Sequence, residues 1–381
     1  MQGVIMSFNS GLDIERSYHT ATAEPEPRHP ILTAKIDADL VVIGGGCTGL
    51  SAALNAAERG LKVVLVEGGR VGWGASGRNG GQMIVGLCKT ACELVKLLGR
   101  ERARALFDLA LEAWGLVLDL IKRHAMNCDL RKTVHPIGTA SAGDMTRFEH
   151  EIECLATIMN CPLMRILSAA EVRVAVDAPY HGGLFDGGHM LPLNYTLALA
   201  QAAAAAGVMF HERSVVRRLD SRNGIRAETA FGAVRARRAV LAGHALLKRI
   251  HLPIESRIMP IGSYIVDNEP LANAAAVIPS NAAVSDTRFI RCRPTAGCCL
   301  AESATCPARR PTSGTSFAHT SRGLSSSSSI SYACGGLASV TTSRLPHVGR
   351  DGDMYFAHGC SGLGVILSTL VGKLLVEAIA D

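Results

Sequence analysis

Residues 38–82 read ADLVVIGGGCTGLSAALNAAERGLKVVLVEGGRVGWGASGRNGGQ. An apolar run at 40–43 meets three glycines, a segment with helical patterning follows, and a second apolar run at 63–66 stops at Glu67. The pattern predicts a strand–loop–helix–strand unit with Gly44, Gly46 and Gly49 in the Gly-x-Gly-x-x-Gly positions. Gly44 permits the tight turn out of the strand, Gly46 lets the backbone approach a pyrophosphate, and Gly49 lets the helix pack closely on the strand. The first turn of that helix, which holds Thr48, offers N–H groups and the positive end of the dipole to a diphosphate. Glu67, 23 positions after Gly44, is placed to accept hydrogen bonds from an adenosine ribose. Three glycines alone are a weak signal; the strand, helix and terminal acid around them make a dinucleotide site.

The next residues decide which dinucleotide. Glu67 is followed by Gly68, Gly69 and Arg70, then by GWGASGRNGGQ at 72–82. A nicotinamide domain usually continues into another strand–helix repeat. A second loop of glycine and small polar residues instead offers backbone N–H groups to a large flat cofactor. Its candidate contacts, with Arg70, are Ser76, Gly77, Asn79, Gly80, Gly81 and Gln82. This arrangement resembles the FAD-dependent D-amino-acid-oxidase-like (DAO) superfamily, and within it the gamma-glutamylputrescine oxidase branch of amine oxidoreductases.

Further segments carry the resemblance along most of the chain. SYHTATAEPEPRHP (17–30) resembles the family's proline-rich leader, and YHGGLFDGGHMLPLNYTLALAQAAAAAGV (180–208) a segment entering a helix that packs on the cofactor domain. GVMFHERSVVRRLD (207–220) resembles the strand whose apolar residue contacts the adenine, which implies that role for Val216. AVRARRAVLAGHA (233–245) resembles a strand ending in a glycine beside the cofactor, here Gly243. RIMPIGSYIVDNEPL (257–271) resembles a sheet strand of the substrate domain. Residues 335–380, which include TTSRLPHVGR, resemble the closing strand–loop–helix. There Ser361, Gly362, Leu363, Gly364 and Val365 would lie under the flavin ring, with the helix N-terminus favouring the anionic reduced flavin. Three positions depart from the family pattern: Cys47 replaces a large apolar residue, Cys334 a tryptophan and Leu363 a frequent histidine.

The resemblance implies an α/β fold with a Rossmann-like FAD-binding domain and a second substrate domain built on an antiparallel or mixed sheet with helices. The expected boundaries are 36–89, 187–250 and 335–381 for the FAD-binding domain, and 90–186 and 251–334 for the substrate domain. A chain of 381 residues is long enough for both. No basic start with an apolar core and cleavage site opens the sequence, and no run of 18 apolar residues occurs, so a cytoplasmic protein without a membrane span is expected. Twelve cysteines in such a chain argue for reduced thiols over a disulfide framework. Cys88 and Cys92 have helical spacing, but no second cysteine or histidine pair accompanies them, and no metal site is expected.

Residues 287–329 are anomalous. They hold nine Ser, six Arg, six Thr and four Cys against one acid, Glu302, a net charge of +5 (six Arg minus one Glu) out of +6 for the whole chain. The basic balance is therefore local, and it gives no ground for a nucleic-acid partner. No period of 2 or 3.6 is sustained there, and pattern resumes at Ile330. The segment reads as a disordered Ser/Arg-rich insertion or as a frameshifted stretch, and the intact flanks favour the latter. Cys292, Cys298, Cys299 and Cys306 fall inside it without defined metal spacing.

Residues 91–125 predict long amphipathic helices. His124, His135 and His150 are expected on the surface or at caps, while His181, His189, His347 and His358 lie in segments that approach the cofactor by resemblance. Arg344 can orient a substrate carboxylate or sit exposed at a strand end. No residue is named as catalytic. The function implied is oxidation of an amine CH–NH bond, as in a gamma-glutamylputrescine-like or other primary or secondary amine. Hydride would pass to flavin N5, water would hydrolyse the imine, and oxygen would be reduced to hydrogen peroxide. Two alternatives stand beside it: a dehydrogenase of the same fold passing electrons to a quinone or carrier, and an inactive relative with a damaged substrate domain.

Overall fold

Residues 40–43 and 63–66 are buried on both faces, as continuous apolar runs in a covered parallel sheet should be. In the computed structural model, which describes residues 17–24, 28–139, 143, 145–168, 170–171, 181–247, 250–268, 281–284, 288–292, 298–304 and 330–380, a short helix α1 (Tyr18–Ala21) precedes β1 (Lys35–Ile43). Helix α2 (Cys47–Glu58) and β2 (Val63–Val66) complete the unit read from the sequence. β1 and β2 pair in parallel, Val42 opposite Leu65.

The chain then leaves this sheet through β3 (Gln82–Ile84), α3 (Ala91–Leu98), α4 (Arg100–Arg123), β4 (Arg131–Thr139), α5 (Met145–Thr157), β5 (Met164–Leu167) and β6 (His181–His189). It returns through α6 (Pro192–Ala205) to β7 (Met209–His211), β8 (Arg218–Asp220), β9 (Ile225–Glu228) and β10 (Ala233–Leu241). A second excursion adds α7 (Leu252–Glu255), β11 (Met259–Asn268), β12 (Asn281–Val284), β13 (Arg288–Cys292), β14 (Cys298–Ala304) and β15 (Ile330–Val340). β16 (His347–Asp351), β17 (Met354–His358) and α8 (Val365–Ala380) close the chain.

The first sheet has the order β16-β17-β10-β1-β2-β7, with β9 and β8 added beside β10. β17, β10, β1, β2 and β7 run parallel, so their carboxyl ends share one edge. The second sheet has the order β15-β11-β14-β13-β12-β4-β6-β3, with β5 on β6. Its pairs are antiparallel except β12 with β4, which makes it mixed. β3 and residues 335–340 of β15, which fall within the bounds expected for the FAD-binding domain, hydrogen-bond in the second sheet.

One face of the first sheet is covered by α2, α6 and α8, whose buried residues merge into one core with those of α4. The opposite face packs Val41, Ile43, Val64, Val66, Val234 and Leu241 with Val216 and Leu247. The helices predicted over 91–125 are α3 and α4. Thr90 and Glu93 form a reciprocal capping box at the start of α3, and Gly99 at φ +78° separates α3 from α4.

One expectation is corrected. Cys92 of α3 and Cys154 of α5 are disulfide-bonded, their Cα atoms 5.6 Å apart, so the thiols are not all reduced. The Glu151 carboxylate, one turn before Cys154, accepts from the N–H groups of Ala91 (2.6 Å) and Cys92 (3.1 Å), and this helix cap brings the two cysteines together. Within residues 287–329, β13 and β14 pair antiparallel, Phe289 opposite Ala301. Residues 287, 293–297 and 305–329, with Cys306, lie outside the described residues. Among the described residues no helix is long and apolar enough to cross a membrane, and no group of three His, Cys, Asp or Glu could hold a metal ion.

Candidate cofactor site

The carboxyl ends of β1, β2, β10 and β17 deliver Gly44, Glu67, Gly243 and Gly359 to one edge of the sheet, where open α/β sheets bind their ligands. Gly44 turns at φ +116°, and a Cβ there would lie 2.6 Å from the Ala242 carbonyl oxygen. A Cβ on Gly49 would collide with the Gly44 carbonyl oxygen. At Gly46 the space a Cβ would fill belongs to Ser76 Oγ, 2.8 Å away, and that hydroxyl accepts from the Cys47 N–H at 3.0 Å. The second glycine-rich loop is thereby docked on the first turn of α2, beside Thr48.

Glu67 is held by both oxygens. Gly45 N–H donates to Oε2 at 2.6 Å and Gly69 N–H to Oε1 at 2.7 Å. Burial pushes its carboxyl up, against the pull of those two N–H groups. Arg70 follows in the same turn, its carbonyl accepting from the Trp73 N–H. Val216 is buried in the core beneath the sheet; the exposed apolar side chain against Gly68 is its neighbour Val215.

Ser76 and Gly77 lie in a single 3-10 turn, Ala75–Gly77. Asn79 stiffens the loop, donating to the carbonyls of Ala75 (2.9 Å) and Ser76 (2.8 Å) and accepting from the Gly81 N–H (2.8 Å). Gly80 links it to Gly81, and Gln82 opens β3. Arg78, which the sequence did not single out, is buried; it donates to the carbonyls of Trp73 (2.6 Å) and Gly335 (2.7 Å) and stacks over the Trp73 ring. It ties the loop to β15 of the second sheet.

Ser361 adopts φ +55°, a strained conformation for a residue with a side chain. Its N–H donates to the Ser339 carbonyl (3.2 Å), its Oγ to the Gly359 carbonyl (3.0 Å), and its carbonyl accepts from Cys88 Sγ (2.8 Å). Gly362 follows at φ +116°, and Leu363 and Gly364 lead into Val365 at the start of α8. Cys47 and Cys334 fill buried positions, and Leu363 is half-buried. The closing loop thus lies at the same edge, under Cys88 of the first excursion.

The histidines divide sharply. His150 is exposed and His124 ends α4. His135 is not a surface residue: it is buried in β4 with Nε2 2.9 Å from the Gly188 carbonyl. His189 is also buried, and the side chain of His181 lies outside the described residues. His347 and His358 face each other across β16 and β17, Nδ1 of the first 3.0 Å from Nε2 of the second. His244, also missed in the sequence, accepts from the Ser339 N–H through Nε2 at 2.9 Å. Its signal was its place directly after Gly243. His244 and His358 both line a small cavity with Thr48, Ala242, Cys360 and Ser368. Burial pushes both imidazoles down to about 4. Arg344 is exposed at φ +62° in the turn after β15, and its charge is felt by Cys88.

A parallel sheet whose carboxyl edge gathers three glycine-rich turns and a clamped acid, joined to a second, mixed sheet, has the architecture of a dinucleotide-binding fold. The chain belongs to the DAO family of FAD-dependent oxidoreductases, whose model matches residues 39–378. It is 34% identical to the probable oxidoreductase OrdL of Haemophilus influenzae over 96% of this chain and 88% of that protein. It is 31% identical to the gamma-glutamylputrescine oxidoreductase of Escherichia coli over 95% of this chain and 88% of that one. In fold it matches glycine oxidase from Geobacillus kaustophilus, with a TM-score of 0.76 and 20% identity over 90% of this chain and 95% of that one. The cofactor of the family is FAD, and the residues present fit it. Gly44 and Gly46 stand half-buried at the sheet edge, Glu67 is fixed there, and the buried Nδ1 of His358 has no hydrogen-bond partner among the described residues.

Proposed function

We propose that this chain oxidises the CH–NH bond of a small primary or secondary amine to an imine, with oxygen reduced to hydrogen peroxide. The observation that carries the reading is the likeness to the gamma-glutamylputrescine oxidoreductase of Escherichia coli, which extends over nearly the whole of this chain. A gamma-glutamylated polyamine is accordingly the first substrate to try, and polyamine catabolism in the cytoplasm is the setting this implies. The bound FAD supplies hydride acceptance.

The chain's own residues supply placement. Gly44, Gly46, Thr48 and Gly49 receive the diphosphate, Glu67 the adenosine ribose and Gly243 the strand end beside it. Arg70 and the turn at Ser76, Gly77, Asn79, Gly80, Gly81 and Gln82 line the next part of the crevice. Val216 holds the adenine end, with Val215 as the exposed apolar neighbour. Ser361, Gly362, Leu363, Gly364 and Val365 present the N-terminus of α8, whose dipole favours negative charge. In this reading the first sheet with α2, α6 and α8 is the FAD-binding domain, and the second sheet carries the substrate side.

The test is turnover of a panel of polyamines, their gamma-glutamyl derivatives and amino acids, following hydrogen peroxide in air and an artificial electron acceptor under nitrogen. Peroxide formation with an amine supports the oxidase. Turnover with the artificial acceptor alone would replace it with a dehydrogenase, and no turnover of any member would favour an inactive relative.

A further inference from the structure

His358 ends β17 and is only 2% exposed, and its Nε2 lies 3.0 Å from Nδ1 of His347. The other nitrogen of His347, Nε2, lies 3.1 Å from an NH1 of Arg257. A guanidinium only donates, so Nε2 of His347 accepts. A neutral imidazole carries one proton, which is then on Nδ1 of His347 and is donated to Nε2 of His358. The proton of His358 is in turn placed on Nδ1. Among the described residues that atom is buried without a hydrogen-bond partner. A buried donor left unpaired costs roughly 1–3 kcal/mol, so its retention calls for an acceptor from outside the chain. The ring lines the cavity between α2 and the ends of β10 and β17, where Thr48 of the diphosphate turn also stands.

We propose that His358 is a cofactor-positioning residue: its Nδ1–H donates to an oxygen acceptor of the bound FAD, and the direction of that bond is set from the protein surface by Arg257 through His347. The inference rests on the placement of FAD along this sheet edge. The three-residue line runs from an exposed guanidinium at the end of α7 to a buried edge at the crevice, so a surface charge fixes the tautomer of a buried group. His244 strengthens the pattern. Its Nε2 accepts the Ser339 N–H, which leaves its own proton on Nδ1 in the same cavity. Both rings stay neutral near pH 7: burial opposes a second proton on each, and His347, His244 and the charge of Arg257 add to it on His358.

The experiment uses the two amides that imitate opposite edges of the ring. Asparagine places its N–H₂ near the imidazole Nδ1, whereas glutamine reaches the position of Nε2. FAD affinity of the apoprotein, read by flavin fluorescence quenching, and the flavin absorption maxima of the reconstituted protein are measured for wild type, His358→Gln, His358→Asn and Arg257→Met. Melting temperature is followed alongside. The expected result is about a tenfold loss of FAD affinity in His358→Gln, recovery to within about threefold in His358→Asn, and displaced flavin bands in Arg257→Met at unchanged melting temperature. Wild type that binds FAD with His358→Gln unimpaired would overturn the donor role alone. Equal losses in the two amide variants would reduce His358 to packing and overturn it as well, as would flavin bands in Arg257→Met identical to wild type. Wild type that takes up no FAD would overturn the crevice itself.

Discussion

Gly45 donates its N–H to Oε2 of Glu67 at 2.6 Å, so the acid at the end of β2 is fastened to the glycine turn at the end of β1 before any cofactor arrives. Gly69 fastens the other oxygen at 2.7 Å. A carboxylate has about four acceptor sites, which leaves lone pairs for the ribose diol proposed to bind there. The clamp therefore preorganises the acceptor.

Glu67→Gln keeps the shape and removes an acceptor. The amide must turn its N–H₂ toward one of the two backbone N–H groups and leave that group unpaired, at a cost of roughly 1–3 kcal/mol. The expected outcome is a lower melting temperature together with at least a tenfold weaker FAD affinity, measured by calorimetric scanning and fluorescence titration of the same preparations.

Gly372 lies inside α8, where alanine would ordinarily gain about 1 kcal/mol of helix propensity. Here a Cβ would meet the Thr48 carbonyl oxygen and the Ser51 Cβ of α2, so the two helices must separate. Overpacking costs about 1–3 kcal/mol and more against backbone, and it outweighs the propensity gain. Gly372→Ala is expected to lower stability and FAD uptake, whereas Gly74→Ala, with no atom within 4 Å of its Cβ, should stay within about 0.5 kcal/mol of wild type. Denaturant midpoints of the two variants decide this, and a Gly372→Ala as stable as wild type would mean that α2 and α8 are not so closely crossed.

The Cys92–Cys154 bond closes a segment of 62 residues between α3 and α5. In the chain-entropy view such a closure restrains the unfolded state by up to about 4 kcal/mol. Reduction with dithiothreitol, or Cys92→Ser, is expected to lower the melting temperature by several degrees, and thiol titration before reduction should find two fewer thiols than after it. Identical titres would return the pair to the reduced state that composition suggests.

Acid should destabilise the protein through His244 and His358. Both imidazoles are lowered from 6.5 to about 4 in the folded state, by burial first. His347, His244 and Arg257 add to the effect on His358. Below 6.5 the unfolded chain binds protons that the folded one refuses, so stability contributed above 6.5 is lost as pH falls toward 4. The slope reaches about 1.4 kcal/mol per pH unit for each histidine. Urea midpoints between pH 7.5 and 4.5 should fall steeply in wild type and less so in His358→Asn.

The unit at 38–82 was legible because parallel strands covered on both faces are continuous apolar runs, and the turn between them is local in sequence. Arg78 was not legible, because its partner Gly335 lies on a strand far along the chain. Cys92 and Cys154 were hidden for the same reason, since helix packing and not spacing sets their distance. The His347–His358 pair carries a local signal in the sequence. Gly352, at φ +57°, sits in the turn linking Asp351 to Met354, and alternation back from that turn sets His347 opposite His358. Val215 and Val216 lie in the connection between β7 and β8, where no strand alternation foretells that Val215 is exposed and Val216 buried.

The most direct test is the visible absorption spectrum of the purified protein under anaerobic conditions, before and after addition of a gamma-glutamylated polyamine and related amines. The account predicts a flavin spectrum that bleaches with at least one amine and returns when air is admitted. A protein that takes up no flavin, or one whose flavin no amine reduces, would contradict it.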